Sequence, residues 1–106
     1  MAVLHENLMK ITIMALSRLP KTRAWANQTG VARSMDGLRF IKYGLVGSSD
    51  ILCISNGRMI AVEIKINKDK QREAQINFEK MINSCGGIYV IVRDDRDLKL
   101  LIELLS

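Results

Sequence analysis

Two acids and a lysine crowd around one turn in GSSDILCISNGRMIAVEIK, residues 47–65. Asn56-Gly57 is the strongest short hairpin signal a sequence carries, because a two-residue type I′ turn needs positive φ at both centres. Counting outward from that turn pairs Ser55 with Arg58 and places Asp50 opposite Glu63. Directly opposed residues of an antiparallel pair point to the same side, with Cβ atoms about 5 Å apart. Strand alternation then puts Met59, Ala61, Glu63 and Lys65 on one face and Ile60, Val62, Ile64 and Ile66 on the other, which reads as core. Two carboxylates so close repel unless a positive charge lies between them. Mg²⁺ accepts one or two carboxylates while keeping water and phosphate oxygens in its shell. A neighbouring lysine suits the stabilisation of an anionic transition state. The plain alternative is a surface hairpin in which Lys65 neutralises Glu63.

Gln75 lies at the margin of a helical apolar stripe, one turn before Phe78, within reach of the strand that carries Lys65. Gln71 sits one turn earlier on the same margin. Glu6 is either a third acid, if its helix crosses the sheet, or a first-turn carboxylate that suits the helix dipole. Basic residues cluster at Lys68, Lys70 and Arg72, at Arg18, Lys21 and Arg23, and at Arg33, Arg39 and Lys42. Singly these are solvated side chains; together they would offset repulsion between an acidic pocket and a phosphate backbone.

The 106 residues are expected to form one domain, residues 1–106, with 48% hydrophobic and 25% charged positions. Sixteen Lys and Arg against eleven Asp and Glu leave a net charge of +5, which suits a polyanionic partner. His5 is the only histidine, so a histidine triad or zinc centre is poorly supported. No phosphate-loop or dinucleotide-binding glycine motif occurs. Cys53 and Cys85 have no metal spacing and read as reduced core thiols. With no leader-like start and no long apolar run, a cytoplasmic protein without a membrane span is expected.

The elements that must position these groups follow from periodicity. Leu4, Leu8, Ile11, Ala15 and Leu19 predict a helix over 4–19, ended by Pro20. Asp36-Gly37 predicts a hairpin with arms near 23–34 and 39–43, irregular at Gly30. A loop over 44–49 leads into the hairpin 50–55 and 59–66. Ala74, Phe78, Met81, Ile82 and Cys85 predict a helix from about 69 to 85, stopped by Gly86-Gly87. Residues 88–92 read as a buried strand, and Leu98, Leu101, Ile102 and Leu105 as a last helix. The result is an α/β fold, a small mixed sheet flanked by helices.

The runs WANQTGVAR (25–33), DGLR (36–39), GLVGSSDIL (44–52), GRMIAVEIK (57–65), QINF (75–78) and Gly86-Gly87 together resemble the VRR-Nuc domain family, a branch of the PD-(D/E)XK nuclease superfamily. The resemblance covers roughly residues 5–103. It implies a restriction-endonuclease-like core in the order α-β-β-β-α-β-α. It also implies Mg²⁺ (or Mn²⁺) held by Asp50, Glu63 and the main-chain carbonyl of Ile64, with Glu6 completing the set less securely. Lys65 matches the catalytic lysine and Gln75 the family glutamine. Arg33, Lys42, Ser48, Ser49, Lys68, Lys70 and Arg72 are the expected DNA contacts.

Stand-alone members of this size, as in phages and bacteria, resemble the nuclease domain of the Fanconi anaemia-associated nuclease. They imply structure-selective cutting of branched DNA in a bacterial or phage-infected cell. One copy covers little of a branched DNA, whereas a C₂ homodimer would match the symmetry of a four-way junction. The competing reading is a catalytically silent module that binds branched DNA, or serves assembly, on the same fold.

Overall fold

A turn with positive φ at both Asn56 (50°) and Gly57 (81°) joins β4 (Ile51–Ser55) to β5 (Arg58–Ile64). Their antiparallel register pairs Ser55 with Arg58 and Ile51 with Val62. Continued by one step, it sets Asp50 opposite Glu63, as the turn geometry predicts. The computed structural model describes residues 2–106, with side chains from Leu4 onward. In chain order the remaining elements are α1 (Ala2–Ser17), β1 (Thr22–Ala26), β2 (Gly30–Arg33), β3 (Phe40–Tyr43), α2 (Glu73–Ser84), β6 (Ile88–Val92) and α3 (Asp95–Leu105).

The main sheet has the order β1-β4-β5-β6, antiparallel except for the parallel pair β5/β6. A parallel pair needs a crossover, which α2 supplies. β5 is interior to the sheet, and its side chains from Ile60 to Ile64 are buried on both faces. Ile60, Val62 and Ile64 join Ile51, Cys53 and Val92 under α1 and α3, which contribute Leu8, Leu16, Leu98 and Leu101. Ala61 faces the other way and packs on Phe78 and Ile82 of α2, with Leu52 and Tyr89 alongside. This is a mixed α/β fold with helices on both faces of a small mixed sheet.

Five strands precede α2, where the periodicity predicts four and the family order three. The expected long hairpin is divided. β1 pairs with β4 in the main sheet, whereas β2 pairs only with β3 in a separate two-stranded arm around the Ser34–Arg39 turn. The break comes between Ala26 and Gly30. There Asn27 spends its hydrogen bonds on the loop before β4, and the chain leaves the sheet. α2 begins at Glu73 rather than near 69, because Asn67 takes positive φ (58°) and Arg72 is extended. Cys53 is buried as expected; Cys85 caps α2 and is exposed, so it is not a core thiol.

α1 is apolar almost all round, and its buried face runs through Leu8, Thr12 and Leu16, while Leu4 and Ile11 of the expected stripe are exposed. Among the described residues no helix is long and apolar enough to cross a membrane.

Candidate functional site

The loop before β4 is shaped by close packing. Gly47 has φ of 82°, and a Cβ there would lie 2.3 Å from the carbonyl oxygen of Ala74 in the first turn of α2. Only glycine lets the backbone come so near, so Gly47 locks the loop onto the helix that carries Gln75. From the other side Asn27 donates through Nδ2 to Ser48 Oγ (2.7 Å) and to the Ser49 carbonyl (2.9 Å). The Asn27 N–H donates to the Asp50 carbonyl at 2.8 Å. Ser49 Oγ donates to the Ile51 carbonyl at 2.8 Å. Asp50 is therefore held by β1, β4 and α2 together.

The opposed carboxylates interlock through the main chain. The Asp50 N–H donates to Glu63 Oε1 at 3.1 Å, and the Ile64 N–H donates to Asp50 Oδ2 at 2.9 Å. Gln75, itself buried, completes the array. Its Nε2 donates to Glu63 Oε2 at 2.6 Å, and its Oε1 accepts from Lys65 Nζ at 2.9 Å and from the Arg72 N–H at 2.9 Å. The amide orientation is forced, because the Lys65 ammonium can only donate. Lys65 Nζ lies 4.0 Å from Glu63 Oε2.

Glu63 is only 2% exposed. Burial, then the hydrogen bond and negative charge of Asp50, push its pKa from 4.5 up to about 8, with the Asp50 N–H and Lys65 pulling the other way. A carboxylate this buried, facing a second acid, gains from an additional positive charge. The oxygen donors here are of the kind a hard divalent cation takes. Asp50, Glu63 and the backbone at Ile64 supply part of such a shell, and water and substrate oxygens suit the rest. Among the described residues no three His, Cys, Asp or Glu side chains close around one point as a cage.

The structure thus gathers Asp50, Glu63, Ile64, Lys65 and Gln75 into one place at the end of β5. Gln71 turns away and donates to Glu79 Oε1 and to Tyr89 Oη. Glu6 is exposed on α1; the helix residue against Asp50 is His5, whose Nε2 lies 3.3 Å from Asp50 Oδ2. Ser49 is 1% exposed with its hydroxyl engaged, so it is a loop-building residue and not a DNA contact. Ser48 is half-buried against Asn27.

Of the basic candidates, Lys68, Lys70 and Arg72 are exposed between β5 and α2, and Arg33 and Lys42 are exposed on the β2–β3 arm. Lys42 and Arg72 both line a cleft of about 340 Å³ that also includes Tyr43, Gly47 and Gln75. That cleft leads from the basic arm to the acidic site. Asn27 and His5 were missed as site residues. Asn27 carries no local signal for this role, since its partners lie more than twenty residues along the chain. His5 continues the buried 8, 12, 16 face of α1, a phase that the nearly all-round apolar pattern of this helix does not reveal.

No protein-family model matches this chain, and no curated protein matches it.

Proposed function

We propose that the chain is a divalent-metal-dependent DNA endonuclease that hydrolyses phosphodiester bonds in branched DNA. The observation that carries this reading is the buried Glu63 set against Asp50, with Gln75 bridging from Glu63 to Lys65. The resemblance of the same residues to the VRR-Nuc motifs supports it.

Asp50, Glu63 and the Ile64 carbonyl are the groups that would hold Mg²⁺ or Mn²⁺. When bound, the cation polarises a phosphate oxygen and lowers the pKa of water. Lys65 places its ammonium beside the reacting phosphate and offsets the charge that develops there. Gln75 fixes the rotamers of Lys65 and Glu63 at once, so the two cannot drift apart. Lys42 and Arg72 line the cleft beside the site, and with the exposed Arg33, Lys68 and Lys70 they would draw in the DNA backbone.

The β2–β3 arm supports a homodimer. An isolated two-stranded hairpin is only marginally stable in water. This one exposes Val31, Ile41, Tyr43 and Phe40, the last 72% exposed. A second copy covering the arm would bury that surface and give two sites related by a two-fold axis, the symmetry of a four-way junction.

A panel of linear, flap and four-way DNA substrates with Mg²⁺ or Mn²⁺ tests the reading, with protein mass measured in solution. Cutting of branched DNA that disappears in Glu63→Ala and Lys65→Ala, both still folded by circular dichroism, is the expected result. Undiminished cutting by Glu63→Ala would remove the site from consideration.

The silent DNA-binding module has one observation in its favour, because Glu63, Gln75 and Lys65 satisfy one another without any added ligand. It predicts salt-dependent DNA binding with no cation binding at Asp50 and Glu63 and no turnover.

A further inference from the structure

We infer that the cleft beside Gln75 receives one unpaired nucleotide of the bound DNA, with its base laid on the Tyr43 ring; this rests on the nuclease reading above and names the feature of a branched substrate that the site selects. The cleft, about 340 Å³, lies between the base of the β2–β3 arm and the start of α2, and Gln75 itself forms part of its wall. That amide is hydrogen-bonded to both Glu63 and Lys65, so an occupant of the cleft lies beside the reacting groups. Sites for single small molecules span about 300–1,000 Å³. One nucleotide fits that scale, and a stacked duplex does not.

Tyr43 supplies the platform. It ends β3 and pairs with Gly30 of β2. A Cβ on Gly30 would lie 2.8 Å from Tyr43 Oη and 3.0 Å from its Cζ, so the phenol ring rests over the glycine and needs that position bare. Tyr43 is thereby held while it stays 46% exposed and lines the cleft. A held aromatic ring stacks on any base that has a free face, and a base paired inside a duplex must first be pulled out of its stack. Lys42 and Arg72 line the same cleft and complement the nucleotide's phosphate, and among the described residues no acid lines it. The register puts Arg33 and Phe40 at the outer end of the arm and Gly30 and Tyr43 at its base. A second copy seated on the outer end therefore leaves the cleft open.

The test is binding, read by fluorescence anisotropy with Ca²⁺ in place of Mg²⁺, to three labelled DNAs. One is a full duplex, the second carries a single unpaired thymidine at its centre, and the third has an abasic residue at that unpaired position. The abasic DNA keeps the phosphate and loses only the base. The wild-type protein is expected to bind the unpaired thymidine about tenfold more tightly than the abasic residue, and the full duplex least well. Tyr43→Ala erases that difference, Tyr43→Phe keeps it, and Arg72→Ala weakens both bulged DNAs alike. Circular dichroism checks folding, and Tyr43→Leu gives a second measure if the alanine variant does not fold. Equal binding of thymidine and abasic DNA by the wild type, or a difference that survives in Tyr43→Ala, overturns the inference; if that protein still cuts branched DNA, the nuclease reading stands. A Tyr43-dependent preference without any Mg²⁺- or Mn²⁺-dependent cutting upholds the cleft and overturns the nuclease reading. Failure to bind any of the three DNAs overturns both.

Discussion

The Lys65 ammonium stops 4.0 Å short of the Glu63 carboxylate, too far for a hydrogen bond, and Gln75 fills the interval with 2.9 Å and 2.6 Å contacts. Gln75→Leu keeps the size but leaves a buried acid and a lysine side chain only 11% exposed without their partner. A buried group stripped of its hydrogen bond costs about 1–3 kcal/mol, more when charged. The variant is expected to lose stability by that amount in urea unfolding. Its kcat should fall at least about tenfold with a smaller change in KM, because the lost amide orients the lysine and does not hold DNA. An unchanged kcat would mean that Lys65 needs no such support.

The raised pKa of Glu63 makes the cation-free protein pH-sensitive. Its pKa is about 8 in the fold against 4.5 for an unperturbed carboxyl, chiefly through burial and then through Asp50. Below the lower value both states hold the proton and the group's stabilisation is complete. As pH rises toward 8, the unfolded chain releases the proton while the fold retains it, so stability falls. Thermal unfolding in chelator is expected at a lower temperature at pH 8 than at pH 5, with Glu63→Gln flattening that slope. Mg²⁺ added at pH 8 should raise the wild-type midpoint by several degrees and leave the variant unmoved.

Gly47 is the tightest joint of the site. Alanine there must accept φ of 82° and a Cβ placed 2.3 Å from the Ala74 carbonyl oxygen. The left-handed conformation alone costs about 1–2 kcal/mol, and relief of the clash pushes the loop off α2. Gly47→Ala is expected to lower stability by at least about 2 kcal/mol and to displace Asp50 from Glu63. Chemical-denaturant unfolding measures the first, and cation affinity the second.

Asn27→Ala removes two side-chain hydrogen bonds, to Ser48 and to Ser49. About 1–3 kcal/mol of destabilisation follows. Faster amide exchange should be concentrated at residues 47–50, detectable by mass spectrometry, and global exchange of the β5 core should change far less.

The acidic pair was legible in the sequence because one turn fixes it. Asn56-Gly57 sets the register, the register sets Asp50 against Glu63, and alternation separates Glu63 from the Ile60, Val62 and Ile64 core. Gln75 could be placed because Phe78 anchors the phase of α2. The phase of α1 could not be read. With apolar residues nearly all round, its periodicity does not reveal that Leu8, Thr12 and Leu16 face inward, and that phase decides between His5 and Glu6. The division of β1 from β2 was hidden for another reason. It depends on Asn27 bonding to a loop more than twenty residues away, which no local propensity records.

The central claim is that residues 50 and 63 jointly hold a divalent cation that turns bound DNA into cut DNA. The most direct measurement is cleavage of a labelled four-way junction by the wild-type protein and by Glu63→Gln, with and without Mg²⁺ or Mn²⁺, at matched DNA occupancy. Cutting that requires both the cation and Glu63 is the predicted result. Equal cutting by Glu63→Gln, or a wild-type protein that binds the cation and the junction yet never cuts, would contradict it.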